Sequence, residues 1–168
     1  MKSKFLLIPT AILLVTGLIG CQVRKQREVE PYYLDTWLNI AELRKANDPN
    51  HPTGTVALDK EHSVCFDDAD LTFRNKIQEV VKPLSLTPKK VDKEVKNTED
   101  RLVYYHITAY LDNFDTCIMY INADGTISTN AYAGGWGAPK EQHYIYDIGK
   151  DATKEIIDFA VATFITQE

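Results

Sequence analysis

The sequence has few of the residue patterns that identify a catalytic or metal-binding site. Its four histidines, His51, His62, His106 and His143, do not stand in an HExxH or similar metal-binding spacing. None of the four serines lies in a GxSxG nucleophile motif, and the glycine-rich stretch 134–137 lacks the Lys-Ser/Thr pair of a phosphate-binding loop. The sequence therefore assigns no catalytic residue, no metal ligand and no cofactor.

The sequence also lacks an apolar run long enough for an ordinary transmembrane helix. Its uncharged N-terminal stretch, residues 5–20, has 16 residues, whereas a spanning helix needs about 20, and Pro9 and Gly17 interrupt it. Lys2 and Lys4 precede this stretch. A short basic region followed by a short apolar region is typical of a secretory signal peptide.

The end of this stretch, Leu18-Ile19-Gly20-Cys21, resembles the lipobox of bacterial lipoprotein precursors. The resemblance covers residues 1–21 and implies cleavage after Gly20 and lipidation of Cys21, which would anchor the protein to a lipid bilayer outside the cytoplasm. Because Gln22 stands where the inner-membrane retention signal has Asp, we expect the outer membrane, facing the periplasm, in a host with two membranes. We expect a signal peptide at 1–20, a tether at 21–30 and one globular domain at 31–168.

Charge limits the partners of the mature chain. After removal of Lys2 and Lys4, 17 basic and 24 acidic side chains remain, a net charge of −7. Such a surface disfavours nucleic acid and anionic lipid. Residues 101–168 carry 4 basic and 9 acidic side chains, so a basic protein partner would meet this half first.

Two cysteines remain beside the lipidated one. Cys65 and Cys117 could form a disulfide in an oxidising compartment, or both could be thiols that pack as small apolar residues.

Hydrophobic periodicity predicts an α+β fold in which three helices pack on a four-stranded antiparallel meander at about 101–148. The N-terminal helix begins at Pro31 and carries an apolar stripe, the middle helix is capped by Asp67 or Asp68 and stops at Pro83, and the C-terminal helix runs from about 150 to 165. Capping explains the acidic residues 67–70 better than a cation site does. Two short strands are expected at 55–58 and 63–66, and a solvated loop at 85–100. The four meander strands are expected at 101–112, 116–121, 126–132 and 142–148, and Gly125 closes the turn between the second and the third.

The alternation in the first meander strand separates a core face from a second face that carries polar and aromatic side chains. Tyrosine combined with Ser, Thr and Asn is typical of recognition surfaces. We therefore predict a partner-binding site formed by Tyr104, His106, Tyr110, Tyr132 and Trp136. Alternatively, the N-terminal helix covers this face with Tyr33 and Trp37, and the tyrosines belong to a second core layer.

Two functional classes remain open from the sequence. The first is a membrane-anchored envelope lipoprotein that binds a protein partner without catalysis, as an inhibitor, an immunity protein or an assembly factor does. The second is a small periplasmic enzyme or small-ligand carrier with a pocket near His106 and His143.

Overall fold

The computed structural model describes residues 30–47, 54–58, 64–96, 103–108, 116–133 and 141–165. Contacts divide the chain into residues 1–30 and residues 31–168, and every helix and strand named below lies in the second unit. Within the described residues, no helix is long and apolar enough to cross a membrane.

The described chain forms one seven-stranded antiparallel sheet with three α-helices. The helices are α1 (Leu34–Asn47), α2 (Thr72–Val81) and α3 (Lys150–Ala160), and a π-helical turn, Val161–Ile165, follows α3. The strands are β1 (Thr55–Leu58), β2 (Val64–Asp67), β3 (Lys89–Val91), β4 (Val103–Thr108), β5 (Thr116–Ile121), β6 (Thr126–Tyr132) and β7 (Glu141–Asp147). Their order across the sheet is β2-β1-β4-β5-β6-β7-β3.

The predicted four-stranded meander is therefore wrong, although the α+β class holds. Strands β4 to β7 do follow one another as predicted, but the β1–β2 hairpin extends the sheet beside β4, and β3 extends it beside β7. The 85–100 region was predicted as a loop, because β3 has only three residues and two of them are lysines. This short segment forms a strand because it pairs with β7, a contact with a distant part of the chain that the local sequence does not reveal.

All three helices lie on one face of the sheet. Tyr33, which precedes α1, has its ring 5.3 Å from the Tyr144 ring of β7. The Phe73 ring of α2 packs 5.6 Å from the Tyr105 ring of β4. After α3, the Phe164 ring packs 5.5 Å from Phe66 of β2. Strand pairing places the sheet residues of these contacts, Phe66, Tyr105 and Tyr144, on the same face of the sheet. The core lies between this face and the helices.

Helix α1 confirms the predicted apolar stripe. Leu34, Trp37, Leu38 and Ala41 are each at most 2% exposed, and their spacing places them on one side of the helix. The helix begins at Leu34 and not at Pro31, where it was predicted, so Tyr33 precedes it and is exposed. The α1 backbone is tied to α2 through Arg74, whose Nε donates to the Leu38 carbonyl at 2.8 Å.

One of the two predicted aspartates, Asp68, binds the start of helix α2 with its side chain, although the N-cap position is occupied by Leu71. The carboxylate of Asp68 accepts the backbone N–H groups of Phe73 at 3.0 Å and Arg74 at 3.1 Å. Asp70 lies before the helix, because α2 begins at Thr72. Phe73, Ile77 and Val81 face the core at helical spacing.

Candidate functional site

The sheet face opposite the helices, which we call the polar face, carries the predicted site residues that the structure describes. Strand pairing aligns Tyr104, Tyr120 and Ser128 in one row, His106, Ile118, Asn130 and His143 in the next, and Thr108, Thr116, Tyr132 and Glu141 in the third. The structure thus brings Tyr104, His106 and Tyr132 onto a common face. Tyr110, Trp136 and Cys21 lie outside the described residues.

Helix α1 does not cover the polar face, which was the alternative considered from the sequence. It packs on the other side of the sheet, where the Leu34 N–H donates to the Tyr146 hydroxyl at 2.9 Å. The polar face is instead partly covered by residues 94–96, which we call the covering segment. Sequence reasoning missed this segment because its charged residues suggested a solvated loop.

The covering segment is held by side chains of β6. Asn130 accepts the Val95 N–H at 3.1 Å and donates to the Val95 carbonyl at 3.0 Å. Ser128 also donates to the Val95 carbonyl, at 3.3 Å. Because the segment lies over them, Ser128 and Asn130 are fully buried although they stand on the outer face.

His143 is held in the same buried cluster. Its Nδ1 lies 3.0 Å from Asn130 Oδ1, and its Nε2 lies 3.2 Å from Glu141 Oε2. Asn130 uses its amide nitrogen for the Val95 carbonyl, so its oxygen is an acceptor and His143 Nδ1 is the donor. The His143 ring therefore lies between the Asn130 oxygen, to which its Nδ1 donates, and the Glu141 carboxylate.

The aromatic residues of the polar face surround this cluster and are half-buried. The Tyr104 and Tyr120 rings pack edge to face at 5.9 Å, and the Tyr132 ring lies 5.7 Å from the His143 ring. Burial raises the pKa of Tyr104, of Tyr120 and of Tyr132, and the carboxylate of Glu94 adds to the rise for the last two. These phenols are therefore neutral hydrogen-bonding groups near neutral pH.

His106 is half-buried on the same face, in strand β4. Its Nε2 lies 2.5 Å from Thr116 Oγ1, and that hydroxyl donates to the Ile107 carbonyl at 3.1 Å. The imidazole is then the donor in its bond to Thr116. Burial lowers the pKa of His106, so the neutral ring is favoured.

The two cysteines are not disulfide-bonded. Cys65 is exposed on β2 and Cys117 is buried on β5, and strands β1 and β4 lie between them. Neighbouring strands are about 4.8 Å apart, so about 14 Å separates the two strands, whereas the Cα atoms of a disulfide are about 4.4 to 6.8 Å apart. Burial raises the pKa of the Cys117 thiol well above its ordinary value, which makes it an inert core residue.

A pocket of about 610 Å³ lies on the opposite side of the sheet, among the helices. Neither His106 nor His143 lines it. The sequence prediction of a pocket near these two histidines is therefore not met by this cavity. Among the described residues, no group of three His, Cys, Asp or Glu side chains is arranged to hold a metal ion.

Comparison with known proteins finds no family model, no curated protein and no solved structure that matches this chain.

Proposed function

We propose that this chain is a membrane-anchored envelope lipoprotein whose domain binds a protein partner through the polar face without catalysing a reaction. The observation that carries the proposal is the set of half-buried tyrosines, Tyr104, Tyr120 and Tyr132, on a sheet face over which none of the described helices packs. Tyrosine gives a large contact area and a hydroxyl while few rotamers are lost on binding.

The buried cluster under the covering segment supports the same reading. Asn130 and His143 use their polar atoms on protein neighbours, and Ser128 donates to the Val95 carbonyl. These groups hold the surface in one conformation, so that its tyrosines are ordered before a partner arrives. A preorganised surface loses less conformational entropy on binding.

The partner we expect is a protein with a basic surface. Glu94 and Glu141 stand beside the tyrosines, and their side chains are 27% and 47% exposed. Lys96 lies 3.4 Å from Glu94 and reduces this charge in part. The acidic excess of residues 101–168 adds to the attraction at longer range.

The anchoring part of the proposal rests on the signal sequence. The resemblance of residues 18–21 to a lipobox supports lipidation of Cys21, and Gln22 favours the outer membrane, facing the periplasm, in a host with two membranes. A lipid anchor would keep the polar face near a membrane surface and raise its effective concentration toward other envelope proteins.

The test is quantitative co-purification of the full chain from detergent-solubilised envelope. We expect Tyr104→Ala and Tyr132→Ala each to lower recovery of a co-purifying protein by about tenfold, the effect of losing about 1.4 kcal/mol at an aromatic interface anchor. The control is Glu79→Ala, an exposed change on helix α2. If both tyrosine variants recover the partner as well as the unchanged chain does, the polar face is not the site. If Glu79→Ala lowers recovery as much as the tyrosine variants do, the loss is not specific to the polar face.

A further inference from the structure

The pocket among the helices is large enough for a small organic ligand. Its volume, about 610 Å³, lies within the range of about 300 to 1,000 Å³ that is usual for ligand sites. Helix α1, the end of helix α2, the segment that follows α2 and strand β7 all contribute to its wall. The lining residues are Tyr33, Leu34, Asp35, Leu38, Gln78, Val81, Lys82, Leu84, Leu86, Pro88 and Tyr146.

The deep part of this pocket is aliphatic. Leu34, Leu38 and Val81 are buried there, and Leu86 is half-buried. The Tyr146 hydroxyl already accepts the Leu34 N–H, so this buried polar group is hydrogen-bonded without a ligand. An alkyl chain would therefore displace water from the wall without breaking a protein hydrogen bond.

The mouth of the pocket carries one charge of each sign. Asp35 and Lys82 are both exposed, and neither has an ion-pair partner in the part of the chain that the structure describes. Both side chains belong to the pocket lining, so a bound ligand head lies beside a carboxylate and an ammonium group. A ligand head with a single charge would meet one attractive and one repulsive group, whereas a zwitterionic head complements both.

We propose that this pocket binds a zwitterionic amphiphile with one alkyl chain, of the chemical class of a lysophospholipid with an ethanolamine head. The alkyl chain lies against Leu34, Leu38 and Leu86, the ammonium group lies near Asp35, and the phosphate lies near Lys82. This site is separate from the polar face, because the sheet stands between them. Its test is therefore independent of the proposed protein partner.

The experiment is photolabelling of the full chain in phosphatidylcholine vesicles with a lysophosphatidylethanolamine that carries a diazirine in its tail. After illumination, peptide mapping locates the label. We expect labelling in peptides that contain residues 33–38 and 81–88. A label confined to other peptides would overturn the proposal.

Two matched variants decide whether the pocket is responsible. Leu84 is an apolar lining residue of the pocket and is 37% exposed, and Leu43 is 63% exposed on α1 and does not line the pocket. Leu84→Arg places a cation against the alkyl chain and should lower labelling about tenfold, whereas Leu43→Arg should leave it unchanged. Lys82→Glu, an exposed change at the mouth, gives a second variant that does not depend on how the fold tolerates Leu84→Arg. Labelling that persists in both Leu84→Arg and Lys82→Glu would refute the site.

Two further probes with the same tail test the charge of the head. A fatty acid meets Asp35 as a like charge, and an alkylamine meets Lys82 as a like charge. We expect both to label the pocket less than the zwitterion does. If either singly charged probe labels it as strongly, the zwitterionic class is wrong.

Discussion

The side chain of Asn130 holds both the covering segment and His143. Its carboxamide bonds both polar groups of the Val95 peptide backbone, and its oxygen also accepts from His143. The side chain is fully buried, so water cannot replace these bonds. Its loss would leave a backbone N–H and an imidazole N–H without an acceptor in a dry environment.

We predict that Asn130→Ala lowers the free energy of unfolding by about 3 kcal/mol, because each buried polar group left unsatisfied costs about 1 to 3 kcal/mol. Asn39→Ala, an exposed change on helix α1, should cost less than about 0.5 kcal/mol. Urea unfolding of both variants measures the difference. Similar midpoints for the two would mean that the covering segment is not held by Asn130.

His106 makes the stability of the domain depend on pH. Its pKa is lowered by burial, so below about pH 6.5 the unfolded chain binds a proton at this residue more readily than the folded chain. The stabilising contribution of the neutral ring is thus present above the ordinary pKa and is lost as the pH falls through the folded-state pKa. We predict that His106→Gln removes this part of the acid destabilisation. Urea midpoints measured at about pH 7.5 and about pH 5 test it, and an unchanged pH dependence in His106→Gln would contradict it.

At the scale of elements, the β5–β6 turn and the start of helix α3 depend on each other. Gly125 has φ +103°, and its carbonyl accepts the N–H groups of Ile148 and Gly149 at 2.9 and 3.0 Å. A Cβ at Gly125 would meet Lys150 N at 2.9 Å, whereas a Cβ at Gly149, which has φ +85°, would meet no atom within 4 Å. An alanine at Gly149 would therefore be strained only in its backbone conformation, whereas an alanine at Gly125 would also clash with a neighbouring atom.

We predict that Gly149→Ala costs about 1 to 3 kcal/mol through its backbone conformation alone. Gly125→Ala should cost more, because the chain at Gly149 and Lys150 must also move away. Thermal or urea unfolding of the two variants tests the ranking. If Gly149→Ala proved the more damaging change, the contact between the turn and helix α3 would not limit stability.

Local patterns predicted most elements but not their assembly. The alternation from Val103 to Ile107 and the stripe on α1 are each set by which side of the element is buried, so the sequence records them directly. Strand pairing depends on contacts between distant segments, and therefore the attachment of β1, β2 and β3 to the meander was not predicted. The same limit applies to the site. The alternation of side chains along the strands predicted that Tyr104, His106 and Tyr132 share one face. No local pattern indicated that Val95 would lie over Asn130.

At the scale of the whole molecule, anchoring is the property on which the proposed function depends. We predict that Cys21→Ser abolishes lipidation and leaves the chain unprocessed or released from the membrane fraction. Metabolic labelling with a fatty-acid analogue, followed by membrane fractionation, measures both properties. A Cys21→Ser chain that matures normally and stays membrane-bound would refute the lipoprotein assignment.

The junction between α1 and β7 also determines when the fold can be completed. The Tyr32 N–H donates to Gln142 Oε1 and the Leu34 N–H to the Tyr146 hydroxyl, so these bonds join residues 110 and 112 positions apart. A chain synthesised from its N-terminus makes α1 early and the strand that receives it late. Until β7 emerges, the apolar stripe of α1 lacks its native cover, and contacts of such long sequence separation form slowly. We therefore expect helix α1 to dock on the sheet only after β7 has formed, so the side of α1 that holds Trp37 lacks its sheet contacts until then.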